Sequence, residues 1–226
     1  MMNELRSIRK RLLMGFSLFL LLAGMFHFAP VIQAAEVKSE SVTSFGTGKI
    51  RVRLYTDYFC APCRAAEPKI EALLKALVAK NLINVTFIDT PFHRYSSLYA
   101  RYFLYILNEK RDFEHVLFVR AALFDVAKEE VAEKTGGGSQ PERLEEYLKK
   151  RGIRFAAFDA KPVFLGFERY LREDKIDHTP SCVIERNGMK ETFIGGDDIA
   201  RALEGLNRGR SSGDEAKPPA PKGRKQ

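Results

Sequence analysis

Apolar and polar positions along the middle of the chain change their period more than once. Ile50-Arg51-Val52-Arg53-Leu54-Tyr55 alternates apolar with basic residues, the period of two that marks a strand. From Cys60 to Lys80 the apolar residues Ile70, Leu73, Leu74 and Leu77 recur at helical spacing. Asn84-Val85-Thr86-Phe87-Ile88 predicts a second strand. Strand, helix and strand in so short a stretch make a βαβ unit, whose two strands must run parallel.

A purely helical region follows. Leu98, Tyr102, Tyr105 and Ile106 share one helix face, and Phe113, Val116, Leu117, Phe124 and Ala127 mark another. Thr135-Gly136-Gly137-Gly138 interrupts the pattern. Ser139 with Glu142 three residues on forms a capping box for a short helix through Leu144, Tyr147 and Leu148. Asp159 is placed to cap a further helix whose inner face is Val163, Phe167, Tyr170 and Leu171. After Ile176 the period returns to two. Ser181 to Glu185 and Glu191 to Ile194 flank Arg186-Asn187-Gly188, a strong hairpin signal. A last helix starts near Asp197 and carries Ile199, Ala202, Leu203 and Leu206. The predicted order is βαβ, four helices, ββα, an α/β class without internal repeats.

The two ends have a different character. Basic residues from Arg6 to Arg11 precede an apolar run, Leu12 to Phe28, and the small pair Ala34-Ala35 closes the stretch. This is the order of an export signal, and residues 1–35 are expected to be a signal peptide or a membrane anchor through residues 12–28. Either way the positive charges stay inside, and the body is expected outside the cytoplasm, periplasmic or otherwise extracytoplasmic. Residues 36–47 read as a short linker. Residues 208–226 are rich in Ser, Gly, Pro, Ala and Lys, and read as a disordered basic tail.

Composition then narrows the classes. The 226 residues are 45% hydrophobic and 29% charged, which is ordinary for a globular protein. The formal charge of +8 sits mostly at the ends. Arg6, Arg9, Lys10 and Arg11 against Glu4 leave +3 there. Six basic residues against Asp214 and Glu215 leave +4 in the tail, and so +1 in between. A nearly neutral body lacks the basic stripe that nucleic acid requires, so no nucleic-acid partner is expected. Three cysteines are too few for a disulfide scaffold.

The chemistry gathers at Cys60-Ala61-Pro62-Cys63, where the first strand passes into its helix. The spacing puts Cys60 at the helix mouth and Cys63 within the first turn. The free N–H groups and the helix dipole favour an anion there, so the Cys60 thiol should be acidic, roughly between 3.5 and 7.5. Cys60 is expected as the exposed attacking sulfur and Cys63 as the buried resolving one, able to exchange disulfides through a mixed intermediate. The same pair could be a structural disulfide or half a metal site. Pro68 lies inside the helix, where it should kink it, and Thr179-Pro180 enters the hairpin strand, a place where proline is often cis.

The run Leu54-Tyr55-Thr56-Asp57-Tyr58-Phe59-Cys60-Ala61-Pro62-Cys63, with Pro68 and Thr179-Pro180, resembles the thioredoxin superfamily. The helical block at about 93–175 is similar to the insertion of DsbA-like thiol:disulfide oxidoreductases, and the resemblance covers about residues 48–207. It implies a thioredoxin-like fold with an α-helical insertion between its βαβ and ββα halves. It also implies that the protein acts on cysteine-containing exported proteins. Cys60 would be the nucleophile and Cys63 the resolver. Pro180 would be cis against the redox pair, so that Thr179 and Pro180 position substrate. No cofactor is needed, since the electrons reside in the dithiol, but a membrane redox partner must recharge it. A monomer is expected. The family often carries an acidic residue where this chain has Leu54, and Ala-Pro between the cysteines is closer to thioredoxin's Gly-Pro than to DsbA's Pro-His.

Other residues have competing roles. With this fold His178 would come near Cys60, and Cys60, Cys63 and His178 together would suit a metal-binding or metal-delivery protein. An exposed loop histidine is the plainer reading. His93 and His115 read as surface residues. Cys182, flanked by Val183 and Ile184, reads as a buried small apolar residue rather than a third redox thiol. Tyr99, Tyr102, Phe103 and Tyr105 read as core before substrate groove.

Overall fold

Two parallel strands joined by a helix can only be buried if further elements cover both sheet faces. The computed structural model describes residues 42–132 and 141–208. The expected signal or anchor at 1–35, the Gly136-Gly137-Gly138 break, Ser139 of the capping box and nearly all of the tail lie outside the described residues. The strands are β1 (Ser44–Phe45), β2 (Ile50–Thr56), β3 (Ile83–Asp89), β4 (Ser181–Arg186) and β5 (Met189–Ile194). The helices are α1 (Ala61–Ala79), α2 (Ser96–Glu109), α3 (Phe113–Ala132), α4 (Pro141–Lys150), α5 (Lys161–Glu173) and α6 (Gly196–Arg208).

The sheet order is β1-β3-β2-β4-β5. β2 and β3 pair in parallel, from Ile50 opposite Ile83 to Thr56 opposite Asp89, and the remaining pairs are antiparallel. This is the α/β thioredoxin-like architecture, with α2 to α5 inserted between its two halves. The β4–β5 turn has Asn187 at φ 53° and Gly188 at φ 78°. Both central residues are thus left-handed, as a tight hairpin turn requires.

One element differs from the sequence reading. Ser44–Phe45, inside the stretch taken as linker, adds to the β3 edge. Two residues are too few to show a period. Tertiary contacts hold them instead. Phe45 packs on Phe87 and Phe113 at centroid distances of 6.1 and 5.6 Å. Arg111 donates to the Ser44 carbonyl at 2.7 Å. Asp159 also differs slightly. α5 begins at Lys161 with Ala160 as its cap residue, and the Asp159 carboxylate accepts from Lys161 N at 3.1 Å.

Alternation along β2 divides the interior. Val52 and Leu54 face the larger core with Ile70, Leu74 and Leu77 of α1, much of α2 to α4, and Ile199 and Leu203 of α6. Tyr55 faces the other side, with Ile88, Val183 and the α5 residues Val163, Phe167 and Tyr170. Tyr99, Tyr102 and Phe103 are core, as read. Arg53, basic in the alternating pattern, is also buried. It makes paired bonds to Asp174 at 2.6 and 3.0 Å, where Tyr55 Oη also donates at 2.5 Å. α6 comes so close to α1 that a Cβ on Gly196 would lie 2.5 Å from that of Ala66.

The insertion is joined to the sheet by a buried charge. Arg120 of α3 has no exposed surface. It donates to both Glu67 oxygens at 2.8 and 3.2 Å and to Thr56 Oγ1 at 3.0 Å, and it faces Asp89 at 3.6 Å. Its guanidinium also lies 4.5 Å from the Phe87 ring centroid. Arg120→Met would keep the bulk and leave two carboxyls buried without their cation. A loss of about 3–5 kcal/mol is expected in urea unfolding. The deficit should narrow as falling pH protonates the carboxyls.

Candidate active site

The turn Asp57-Tyr58-Phe59-Cys60 carries the chain from β2 into α1, closed by Cys60 N donating to the Asp57 carbonyl at 3.1 Å. Cys60 is the cap residue of α1, with extended backbone, and its sulfur accepts from Cys63 N at 3.3 Å. Pro62 lies in the first turn, where its missing N–H costs nothing. The sulfur thus occupies the place of a capping oxygen, at the positive end of the helix dipole.

The two thiols are driven apart. Cys60 is lowered to about 6, first by a hydrogen bond from the Cys63 thiol, then by bonds from the Thr179 side chain and the Cys63 backbone. Burial and the Asp57 charge oppose these effects. Cys63 moves well above the ordinary thiol range, because its proton is held toward Cys60 and because it is buried. Both sulfurs are free thiols here.

Cys60 is not exposed, as had been expected, but 5% accessible. The loop before β4 reaches over it, and its sulfur donates to the Thr179 carbonyl at 3.3 Å. The Thr179–Pro180 peptide is cis. The structure therefore brings Cys60, Cys63, Thr179 and Pro180 to one place, although nearly 120 residues separate the two halves. His178 is not drawn in. Its ring is 69% exposed and bonds to Asp177 at 2.6 Å. Among the described residues no group of three or more His, Cys, Asp or Glu side chains is placed to hold a metal.

Cys182 lies on β4 opposite Leu54 and Phe193, in the same core as Cys60 and Cys63 and fully buried. Burial pushes its thiol up to about 12.

The structure also places residues that the sequence reading did not weigh. The Asp57 carboxylate is buried and accepts from Phe59 N (2.8 Å), Phe92 N (2.9 Å), His93 N (3.1 Å), His93 Nδ1 (2.9 Å) and Ser96 Oγ (2.6 Å). It thereby fastens the redox turn to the start of α2. His93, read as a plain surface residue, is half exposed but belongs to this cluster. Arg64 donates to the Phe59 carbonyl at 3.2 Å and steadies the same turn. An acid three residues before the CxxC pair, at the buried end of a strand, was the available signal for Asp57.

The thioredoxin family's sequence model matches residues 47–193. The chain belongs to the thioredoxin family. Solved structures show the same fold at low identity. A periplasmic thioredoxin-like protein from Salmonella enterica serovar Typhimurium is 18% identical with a TM-score of 0.56, covering 81% of this chain and 98% of its own. The α-DsbA1 protein of Wolbachia pipientis is 14% identical with a TM-score of 0.57, covering 75% and 92%. The thiol-disulfide exchange protein α-DsbA2 from the same organism is 16% identical with a TM-score of 0.52, covering 77% and 97%. No curated protein matches the chain. In this member of the family α2 to α5 stand between the βαβ and ββα halves.

Alkylation of the reduced protein should follow Cys60 with a midpoint near pH 6, while Cys63 reacts slower by about tenfold or more at neutral pH. Cys182 should label only after unfolding, and Cys182→Ala should leave exchange intact. Linkage fixes a second sign. The Cys60 thiol is more acidic folded than unfolded, so the dithiol form gains stability as pH rises from about 6 toward the ordinary thiol value of about 8.5. That gain is lost as pH falls through 6. The melting temperature of the dithiol form should climb relative to the disulfide form across this window.

Proposed function

We propose that the protein is an exported thiol:disulfide oxidoreductase that exchanges disulfides with cysteine-containing proteins outside the cytoplasm. The observation that carries this reading is the acidic Cys60 thiol capping α1, with Cys63 buried behind it. Cys60 attacks a substrate disulfide, or is itself attacked when the pair is oxidised. Cys63 resolves the mixed disulfide. Thr179 and Pro180 position the substrate chain beside Cys60, which is supported by the 3.3 Å contact of the Thr179 carbonyl with that sulfur.

Export is supported by the basic, apolar and small-residue order of positions 1–35, taken as a signal that precedes a redox domain at about 48–207 with a basic tail behind it. Among the described residues no helix is long and apolar enough to cross a membrane. An oxidising compartment also suits a protein whose substrates carry disulfides. A membrane redox partner would restore the pair after each cycle. The direction of net electron flow follows from the potential of the Cys60–Cys63 couple, for which about 30 mV is a tenfold change in equilibrium.

The test is a trap. Cys63→Ala, expressed with residues 1–35 in place, should accumulate mixed disulfides between Cys60 and exported proteins. Cys60→Ala should accumulate none. Non-reducing gels with mass spectrometry of the adducts read the result, and the absence of adducts with Cys63→Ala would overturn the exchange reading.

A further inference from the structure

Granted thiol–disulfide exchange at Cys60 and Cys63, the acidity of Cys60 decides how much of the attacking thiolate is present. One charge near that sulfur works against it. The negative charge of Asp57 raises the Cys60 thiol, while the donors on the sulfur lower it. The same residue meets both members of the pair through its backbone. Its carbonyl accepts from Cys60 N at 3.1 Å, and its N–H donates to the Cys63 sulfur. Whatever changes the Asp57 carboxylate therefore acts close to the redox pair.

That carboxylate has no exposed surface and is held by five donors. Four of them stay neutral: the N–H groups of Phe59, Phe92 and His93, and the Ser96 hydroxyl. The fifth is the His93 imidazole, whose Nδ1 lies 2.9 Å from Asp57 Oδ2. A carboxylate only accepts, so Nδ1 carries the proton of this bond. Nε2 is then the nitrogen that gains or loses a second one. The His93 side chain is 50% exposed, so solvent can supply that proton without breaking the bond to Asp57. The backbone fixes the ring in place. His93 N donates to Asp57 Oδ2 at 3.1 Å, and the His93 carbonyl accepts from Ser96 N at 3.2 Å where α2 begins.

The other charged and titratable groups facing this pair are Cys60, Cys63 and Arg64 around the start of α1, Asp89 at the end of β3, and Arg94 before α2. Arg64 is occupied by the Tyr58 and Phe59 carbonyls, and Arg94 lies over the Tyr95 ring at 5.3 Å. Asp89 senses the Asp57 charge, and its own Oδ1 makes no hydrogen bond among the described residues. His93 is the basic group within ion-pair distance of Asp57.

We propose that His93 is a positioning residue that sets the acidity of Cys60 through Asp57. With one proton its ring holds the carboxylate and leaves the charge in place. With two it pairs that charge, and the Cys60 thiolate is relieved of part of the repulsion that opposes it. An imidazole changes charge between about pH 5 and 8, the window in which Cys60, at about 6, also ionises. The two titrations are thus linked. A thiolate on Cys60 favours the second proton on His93, and conversion of that thiolate to a disulfide releases it. The ring acts on charge alone and takes no part in the exchange of bonds.

Thiolate ultraviolet absorbance, followed against pH in the reduced protein, reads the Cys60 acidity. His93→Asn keeps a donor nitrogen where Nδ1 stands but cannot take a second proton. Its ratio of Cys60 thiolate to thiol near pH 6 should fall about threefold. His93→Arg carries a lasting charge and should restore the ratio or exceed it. In an Asp57→Asn background, His93→Asn should have no further effect. Nitrogen NMR of the unmodified protein near pH 6 should show the protonated share of the His93 ring falling when the disulfide forms. An unchanged ratio in folded His93→Asn, an equal fall with His93→Arg, a full effect surviving Asp57→Asn, or a ring unmoved by oxidation would each overturn the proposal. Should a substituted protein fail to fold, the imidazole signal of the unmodified protein decides. Reduction of a peptide disulfide by the unmodified dithiol is measured alongside. Its absence at every pH would reject the exchange function itself, a result distinct from normal exchange with an unresponsive His93.

Discussion

A guanidinium without any contact with water has to find its counter-charges inside the protein, and Arg120 finds them on the elements that build the redox site. Glu67 belongs to α1, Thr56 to β2 and Asp89 to β3. Desolvating these charges is expensive, and the paired bonds from Arg120 to Glu67, with the Asp89 charge nearby, offset it. The helical insertion is therefore not an appendage packed on a finished domain. Its second helix, α3, supplies the cation without which Glu67 of α1 and Asp89 of β3 would be stranded. The aromatic rings of Phe87, Phe103 and Phe124 around the same guanidinium exclude water and strengthen the pairing.

Three cysteines in three settings show how far position controls one functional group. Cys60 replaces a capping oxygen, and donors converge on its sulfur. Cys63, three residues on, faces inward and keeps its proton. Cys182 lies in the same core without such donors, and burial alone makes it inert. The asymmetry between Cys60 and Cys63 follows from the first turn of one helix and a loop that arrives from the far end of the chain. Asp57 stands between these effects. Its side chain anchors the redox turn to α2, while its charge limits how acidic Cys60 becomes.

Much of this was legible along the chain. The CxxC pair at a strand-to-helix junction, the change of period and the Asn187-Gly188 turn depend on local spacing, and local spacing is what a linear reading detects. β1 was not legible, since two residues carry no period. The burial of Cys60 was not either, because the Thr179 loop that covers it is distant in sequence. Arg120 had left a trace. Its neighbours three and four residues away on the same helix face, Val116, Leu117, Leu123 and Phe124, are all apolar, which turns that face inward. Glu67, four residues after Cys63 on the face that carries Ile70 and Leu74, had left a similar one.

The sequence by itself determined the order of elements, the βαβ and hairpin halves, and the place of the Cys60–Cys63 pair at the helix mouth, because backbone propensity and helix-end chemistry act over a few residues. The tertiary structure alone decided which thiol is covered, which carboxyl stays short of hydrogen bonds, and which of the histidines joins the site. Those outcomes depend on desolvation and on partners that only folding brings within a few ångströms, and neither quantity is carried by any single stretch of chain.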